Sequence, residues 1–475
     1  MDTSRKKQSA PFFMVLGLTV SLPLGGTLGM KRVHEFADEA ISPAHRLLTL
    51  TNSLSVETMQ GRTDRFKSSR AVYPKPPLPT LPRAGGTFLD PTFGTEIMRT
   101  TDERDDKTGA STYYSHWPTF NCNNSRILVR TASGNALIKS FDPETFTIGA
   151  SFRPDFLNVP GLGRVAVNFE GAIWHPTNPD LLYCFTGYRG GGMSLFTYNV
   201  VTRRYALVKD FSSLGGPDDY LLAMSMSSDG DTFAWSQMRV DSDYNPIYYI
   251  VWRKSSDRVI FHAPMNHIIN KVRLDKSGQF LDLVYASIQP DKTAGAFLTL
   301  ATRQVEILKW NSADSPPGHG DLGTGFIAGW DNWECGINVR SLKNVHAPKT
   351  VFRFTDARGV WDWTNGVHGT MLADNEDWIT LGTFDDPSTS LPRTGVFKDE
   401  IFQVALDGSG RVRRICHTRS AIDQKTDTTG YWAMPKPTIS RDGRFIAFTS
   451  NWEKSGRYDV FIARISPAPI LTKSR

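Results

Sequence analysis

The sequence predicts an all-β fold, a seven-bladed β-propeller, on three observations. Gly (39 residues), Pro (28) and Trp (12) interrupt the chain throughout, and apolar positions at helical spacing become scarce beyond about residue 70. Seven segments repeat one layout: a polar turn, a strand of large apolar residues, a second turn and a further strand. Their second strands centre on Ile127, Leu182, Phe233, Phe280, Phe326, Trp378 and Phe445, 46 to 67 residues apart, which are blade-sized intervals once inserted loops are allowed for. The last repeat is the best formed. Phe445-Ile446-Ala447-Phe448-Thr449 alternates bulky and small residues after the turn Arg441-Asp442-Gly443-Arg444, and Tyr458 to Ile465 supplies its partner. Asp-Gly provides the positive φ of a tight hairpin. A sheet of three strands needs neighbours to stay folded in water, and stacking such sheets radially leaves only short, protected edges. A β-sandwich, with its shorter and less regular turn spacing, is the weaker structural alternative.

In chain order, residues 1–30 form a signal-like segment. Arg5-Lys6-Lys7 precedes the uncharged run from Pro11 to Met30, the pattern of a secretory signal peptide or membrane anchor. Export, to the periplasm or medium, follows as the expectation. Residues 31–89 read as a short helical and Pro-rich lead-in, with Val33, Phe36, Ala37, Ala40 and Ile41 at helical spacing and then the proline-dense Val72 to Gly86. Residues 90–466 hold the seven blades, and 467–475 a tail. Blade seven shows only three strands of its own, so Phe93 to Thr101 is expected to supply a fourth and fasten the ring. The longest interval places a surface insertion at Asp385 to Asp399 in blade six.

Composition narrows the function less than the fold. A net charge of +6 and a pI near 9.0 describe an ordinary soluble surface with mild preference for acidic partners. No Lys/Arg cluster interleaved with aromatics suggests nucleic acid. Cys122, Cys184, Cys335 and Cys416 are scattered, which excludes a zinc ribbon and favours buried small hydrophobes; a disulfide stays open if the compartment oxidises.

Two stretches, "HPTNPDLLYCF" and "PKPTISRDGRFIAFTSNWEKSGRYDVFIARI", resemble the TolB-type, WD40-like propeller repeat over roughly residues 90–466. That resemblance implies fold; its functional implication is a non-catalytic ring that binds a protein or glycan partner in its central funnel.

Chemistry is expected where innermost strands open onto the channel. There the sequence places His116, His175, His262 or His267, His319 and His368, and imidazoles converging on a channel serve as acid, base or metal ligand near neutral pH. No G-x-S-x-G elbow occurs in the sequence, and a hydrolase domain after the ring is not expected. A glycosidase would need two facing carboxylates, for which Asp321, Asp362 and Asp374 are available.

The segments "WHPTNPDLLYCF", "GHGDLG" and "GVHGTMLADNEDWITLG" are similar to propeller polysaccharide lyases, above all the oligogalacturonate lyase family. That resemblance implies an acidic oligosaccharide or polysaccharide as partner, β-elimination at a uronate, and a histidine-rich site for a divalent metal, manganese or calcium, with His319 and His368 as its ligands here. The chain departs from the family in having His368 alone, after Gly366, where the family has a close histidine pair. Elimination needs a base, an acid and a neutraliser of the uronate carboxylate. His116 or His175 is the expected base, Tyr188 or Tyr114 the acid, and Arg189, Lys271 or Arg273 the neutraliser. Trp117, Trp174, Trp432 and Lys436 complete the expected substrate contacts, the indoles by stacking on sugar.

Overall fold

The computed structural model describes residues 66–471 apart from 160–162, 166, 188–191, 241–244, 266–268, 386–393 and 423–429. The signal-like segment, the helical part of the lead-in, His267, Tyr188, Arg189 and most of the blade-six insertion therefore lie outside the described residues. No described helix is long and apolar enough to cross a membrane.

Seven antiparallel sheets form the ring, and each anchor residue lies on the second strand of its blade. Six sheets have four strands; blade seven has five, in the order Thr87–Leu89, Glu96–Arg99, Asp459–Arg464, Phe445–Ser450, Thr438–Ile439. The expected fastening strand is thus present, pairing Glu96 with Arg464 and Arg99 with Phe461. Thr87–Leu89 adds one more strand outside it, so the ring begins within what the sequence assigns to the lead-in.

Closure is held by packing as well as pairing. Phe120, Phe141 and Phe146 of blade one interleave with Phe445 of blade seven at centroid distances of 5.0 to 6.1 Å, inside one buried cluster with Met98, Val460 and Ile462. The proline-rich stretch cannot join a central ladder for want of N–H donors, and its carbonyls are taken up by side chains of the ring. Arg419 donates to the Pro76 carbonyl, Trp452 to Pro79 and Arg99 to Pro82. All four cysteines are free; Cys184, Cys335 and Cys416 are buried, as expected of small hydrophobes, and Cys122 is half-buried.

Candidate active site

The innermost strands of the seven blades line a central channel, and at one level of it the chain brings together Tyr114, His116, Lys271, Arg273, His319 and His368. Each arrives for a local reason. In blade one the regular pairing of Ala110–Ser111 gives way to a turn closed by the Trp117 amide donating to the Tyr114 carbonyl at 3.0 Å; the turn presents Tyr114 and His116. In blade five, Gly318-His319-Gly320 lies hard against the neighbouring strand Phe326–Asp331. A Cβ at Gly320 would overlap the backbone of Ala328 and Gly329, so glycine alone permits the approach that presents His319. Gly320→Ala is accordingly expected to lower stability by about 1–3 kcal/mol through overpacking and to displace His319, measured by thermal melting together with the histidine ring resonances. His368 lies in the innermost strand of blade six, Asn365–Thr370, between two other glycines. Lys271 and Arg273 share one face of Ile269–Leu274 by strand alternation.

Tyr114 is the hub. Its hydroxyl is hydrogen-bonded to Nδ1 of His319 at 2.8 Å. Its ring meets those of His116 and His368 at 4.7 and 5.3 Å, and the Lys271 ammonium lies 4.6 Å from its centre. His319 and His368 touch edge-on at 4.8 Å. His319 keeps an exposed face on the channel, Tyr114, His116 and Lys271 are half-buried, and His368 is buried.

Electrostatics follow from this crowding. Burial, then the charges of Lys271 and Arg273, lower His319 to about 4, and the same causes push His116 well down. Burial, then His319 and Lys436, lowers His368. All three are neutral imidazoles at neutral pH. Burial, reinforced by Arg273, lowers Lys271 to about 8, which leaves it an ammonium at pH 7. Burial raises Tyr114 well above the usual phenol range, so its proton stays on.

The remaining sequence-expected residues are placed elsewhere or otherwise engaged. His175 follows the end of its strand, Val167–Trp174, and its Nδ1 accepts from the amides of Thr177 and Asn178. It caps a turn and stacks on Tyr183 past the end of a strand that begins at Val167, and it lines one cavity with His116. Arg273 is buried and committed: Nε and Nη2 donate to Asp282 and Nη1 to the Gly320 carbonyl. Lys436 is fully buried, donating to the Tyr431 carbonyl at 2.9 Å against the Tyr431 ring; desolvation lowers it to about 7. Trp117 and Trp174 are buried between blades with their indole N–H groups on backbone carbonyls. Trp432, half-buried, carries the Arg130 guanidinium 3.8 Å from its ring centre. His262 bonds Gln237 on an outer strand.

The carboxylates of the glycosidase reading are occupied too. Both oxygens of Asp321 accept backbone amides, from Leu322 and Met371. Asp362 is buried and accepts from Thr364, Thr394 and Gly395, and Asp374 pairs with Arg441. Glu170 was missed by sequence reasoning. It is exposed and acts on the charges of Lys271, Tyr431 and Lys436. Gly171 beside it has φ +89 and the strand shifts register there; a glycine inside a strand pattern is the available signal for such a bulge.

The expected metal pair His319 and His368 finds no third donor: among the described residues no three His, Cys, Asp or Glu side chains are arranged to hold an ion. Nδ1 of His319 is taken by Tyr114, and the unpartnered Nδ1 atoms of His116 and His368 are shut off from solvent. A charge beside them is the Lys271 ammonium, which repels a cation and attracts an anion. Next to this level lies a cavity of about 130 Å³, lined by His116, Trp117, Trp174, His175, Arg273 and Asp321 among others.

Neither a family model nor a curated protein matches the chain. Among solved structures it is similar to an oligogalacturonate lyase in complex with manganese, at 11% identity, a TM-score of 0.57, and coverage of 85% of this chain and 99% of that one. It is also similar to oligogalacturonate lyase from Vibrio parahaemolyticus, at 10% identity, a TM-score of 0.56, and coverage of 81% and 98%. The seven-bladed propeller read from the repeats is therefore the fold of this chain, and it is a fold that oligogalacturonate lyases share.

Proposed function

We propose that this propeller is a lyase of uronate-containing polysaccharide or oligosaccharide, exported as its N-terminal segment suggests, and that it cleaves by β-elimination. The observation that carries the proposal is the Tyr114–His319 hydrogen bond on an exposed channel wall, with the Lys271 ammonium directly beside it. That is a proton donor, a proton acceptor and a site for an anion within one sugar ring's reach.

In the elimination a base takes the C5 proton and the freed electron pair becomes the C4–C5 double bond. The C4–O bond breaks, and the departing glycosidic oxygen takes a proton from the acid. Lys271 holds the substrate carboxylate and so stabilises negative charge developing at C5. His319 accepts the C5 proton at Nε2 in the tautomer whose Nδ1–H donates to Tyr114. Tyr114, its own proton retained, gives that proton to the leaving oxygen and recovers one from His319. The arriving carboxylate also offsets the Lys271 charge that depresses His319, so binding strengthens the base.

The test is ultraviolet absorbance of an unsaturated uronate product during incubation with pectic, glucuronan-type and ulvan-type polymers; no product from any of them sinks the proposal. The pH profile has a stated sign. Lys271, faced by Arg273, Asp282, Glu170 and Asp321, is charged below about 8 and neutral above it. Cleavage measured as kcat/KM is expected to fall as pH rises through about 8, and Lys271→Arg should carry that limb upward. An unmoved limb would show that another group sets it.

A further inference from the structure

Resting on the lyase reading, the geometry points to a syn elimination, and hence to a substrate whose cleaved uronate carries its C4 oxygen and C5 hydrogen on the same face of the ring: D-glucuronate or D-mannuronate, not D-galacturonate.

The stereochemistry follows from where the proton-transfer groups stand. Anti elimination requires base and acid on opposite faces of the sugar. A ring held between them needs van der Waals contact on both sides, a separation on the order of 7 Å. Here acid and base are bonded to each other, Tyr114 Oη to His319 Nδ1 at 2.8 Å. Replacing His319 by another imidazole as the base does not change the side, because His116 and His368 both lie against the same tyrosine ring. Lys271, at 4.6 Å from that ring, puts the carboxylate on C5 beside the same wall. A substrate on this wall therefore gives up its C5 proton and receives the leaving-group proton on one face. In D-glucuronate and D-mannuronate the C4 oxygen is equatorial and lies on the face of the axial C5 hydrogen. In D-galacturonate the C4 oxygen is axial and opposite to it.

Among the described residues Glu170 is an exposed carboxylate, close enough to act on the charge of Lys271, that could serve an opposite face. It influences Lys271 without any hydrogen bond to Tyr114 or the histidines among the described residues. Its part is separable by substitution.

The experiment compares initial rates of unsaturated-uronate formation by the wild-type chain on β-linked polyglucuronate, β-linked polymannuronate and α-linked polygalacturonate, and repeats them with Glu170→Gln. Product from polyglucuronate or polymannuronate at least about 100-fold faster than from polygalacturonate is expected, the loss typical of a misplaced reacting atom, and Glu170→Gln should keep that preference. Equal or faster cleavage of polygalacturonate overturns the syn assignment while leaving the lyase reading intact. Loss of all product in Glu170→Gln, with the fold intact by circular dichroism, also overturns it, by placing the base opposite Tyr114. No product from any polymer removes the lyase reading and the stereochemical inference with it.

Discussion

Tyr114→Phe is expected to lower turnover of a uronate polymer by about 10²–10⁴-fold, the range for removing a positioned acid or base, with little change in KM. The hydroxyl is the only atom lost. Its partner, His319 Nδ1, faces an exposed part of the channel, where water can replace it, so the fold should be unaffected. The ring contacts to His116, His368 and Lys271 are kept in phenylalanine, and the carboxylate site therefore survives. Steady-state kinetics with a binding measurement on the same variant separate the two roles. Equal loss of binding and turnover would mean that the hydroxyl anchors substrate and leaves proton delivery to another group.

Asp459→Ala should cost about 3–5 kcal/mol, because it takes the carboxylate partner from the buried Arg99 guanidinium and from the half-buried Arg457. Asp459 sits at the start of the last strand. It accepts from Arg99 on the fastening strand at 2.7 Å, from Arg457 at 2.8 Å and from the Thr101 hydroxyl at 3.0 Å, and it is 2% exposed. These bonds tie the first strands of the ring to its last. Denaturant titration measures the loss, with Glu144→Ala as the comparison: the Arg444–Glu144 pair is exposed and should contribute about 0–1 kcal/mol. If the two variants lose equal stability, the buried network contributes nothing special to closure.

Much of the ring was legible before any coordinate. Each of the seven anchors falls on a second strand because the signals are local: an Asp-Gly or similar turn, then alternation that specifies which face is buried. The fastening strand was legible from a deficit, one blade short of four strands with a strand-like segment unassigned upstream. The gathering of His116, His319 and His368 at one level was legible too, from their shared place in the repeat.

Exposure and side-chain commitment were not legible. Lys436, Arg273 and Trp174 belong to residue types that suit a sugar site, yet they are spent on Tyr431, Asp282 and Thr119 respectively, partners found by folding and not by spacing. His175 differs. An opening at Ala172 to Pro176 would put it on the innermost strand, whereas that strand starts at Val167 and bends at Gly171, which puts His175 past its end.

The sequence by itself determined the number of blades, their order and the device that closes the ring, since these depend on turns and alternation within some tens of residues. Only the tertiary structure decided which polar side chains meet. Tyr114 and His319 are 205 positions apart, and their hydrogen bond exists because closing seven sheets into a ring brings the inner edges of blade one and blade five together at one narrow channel.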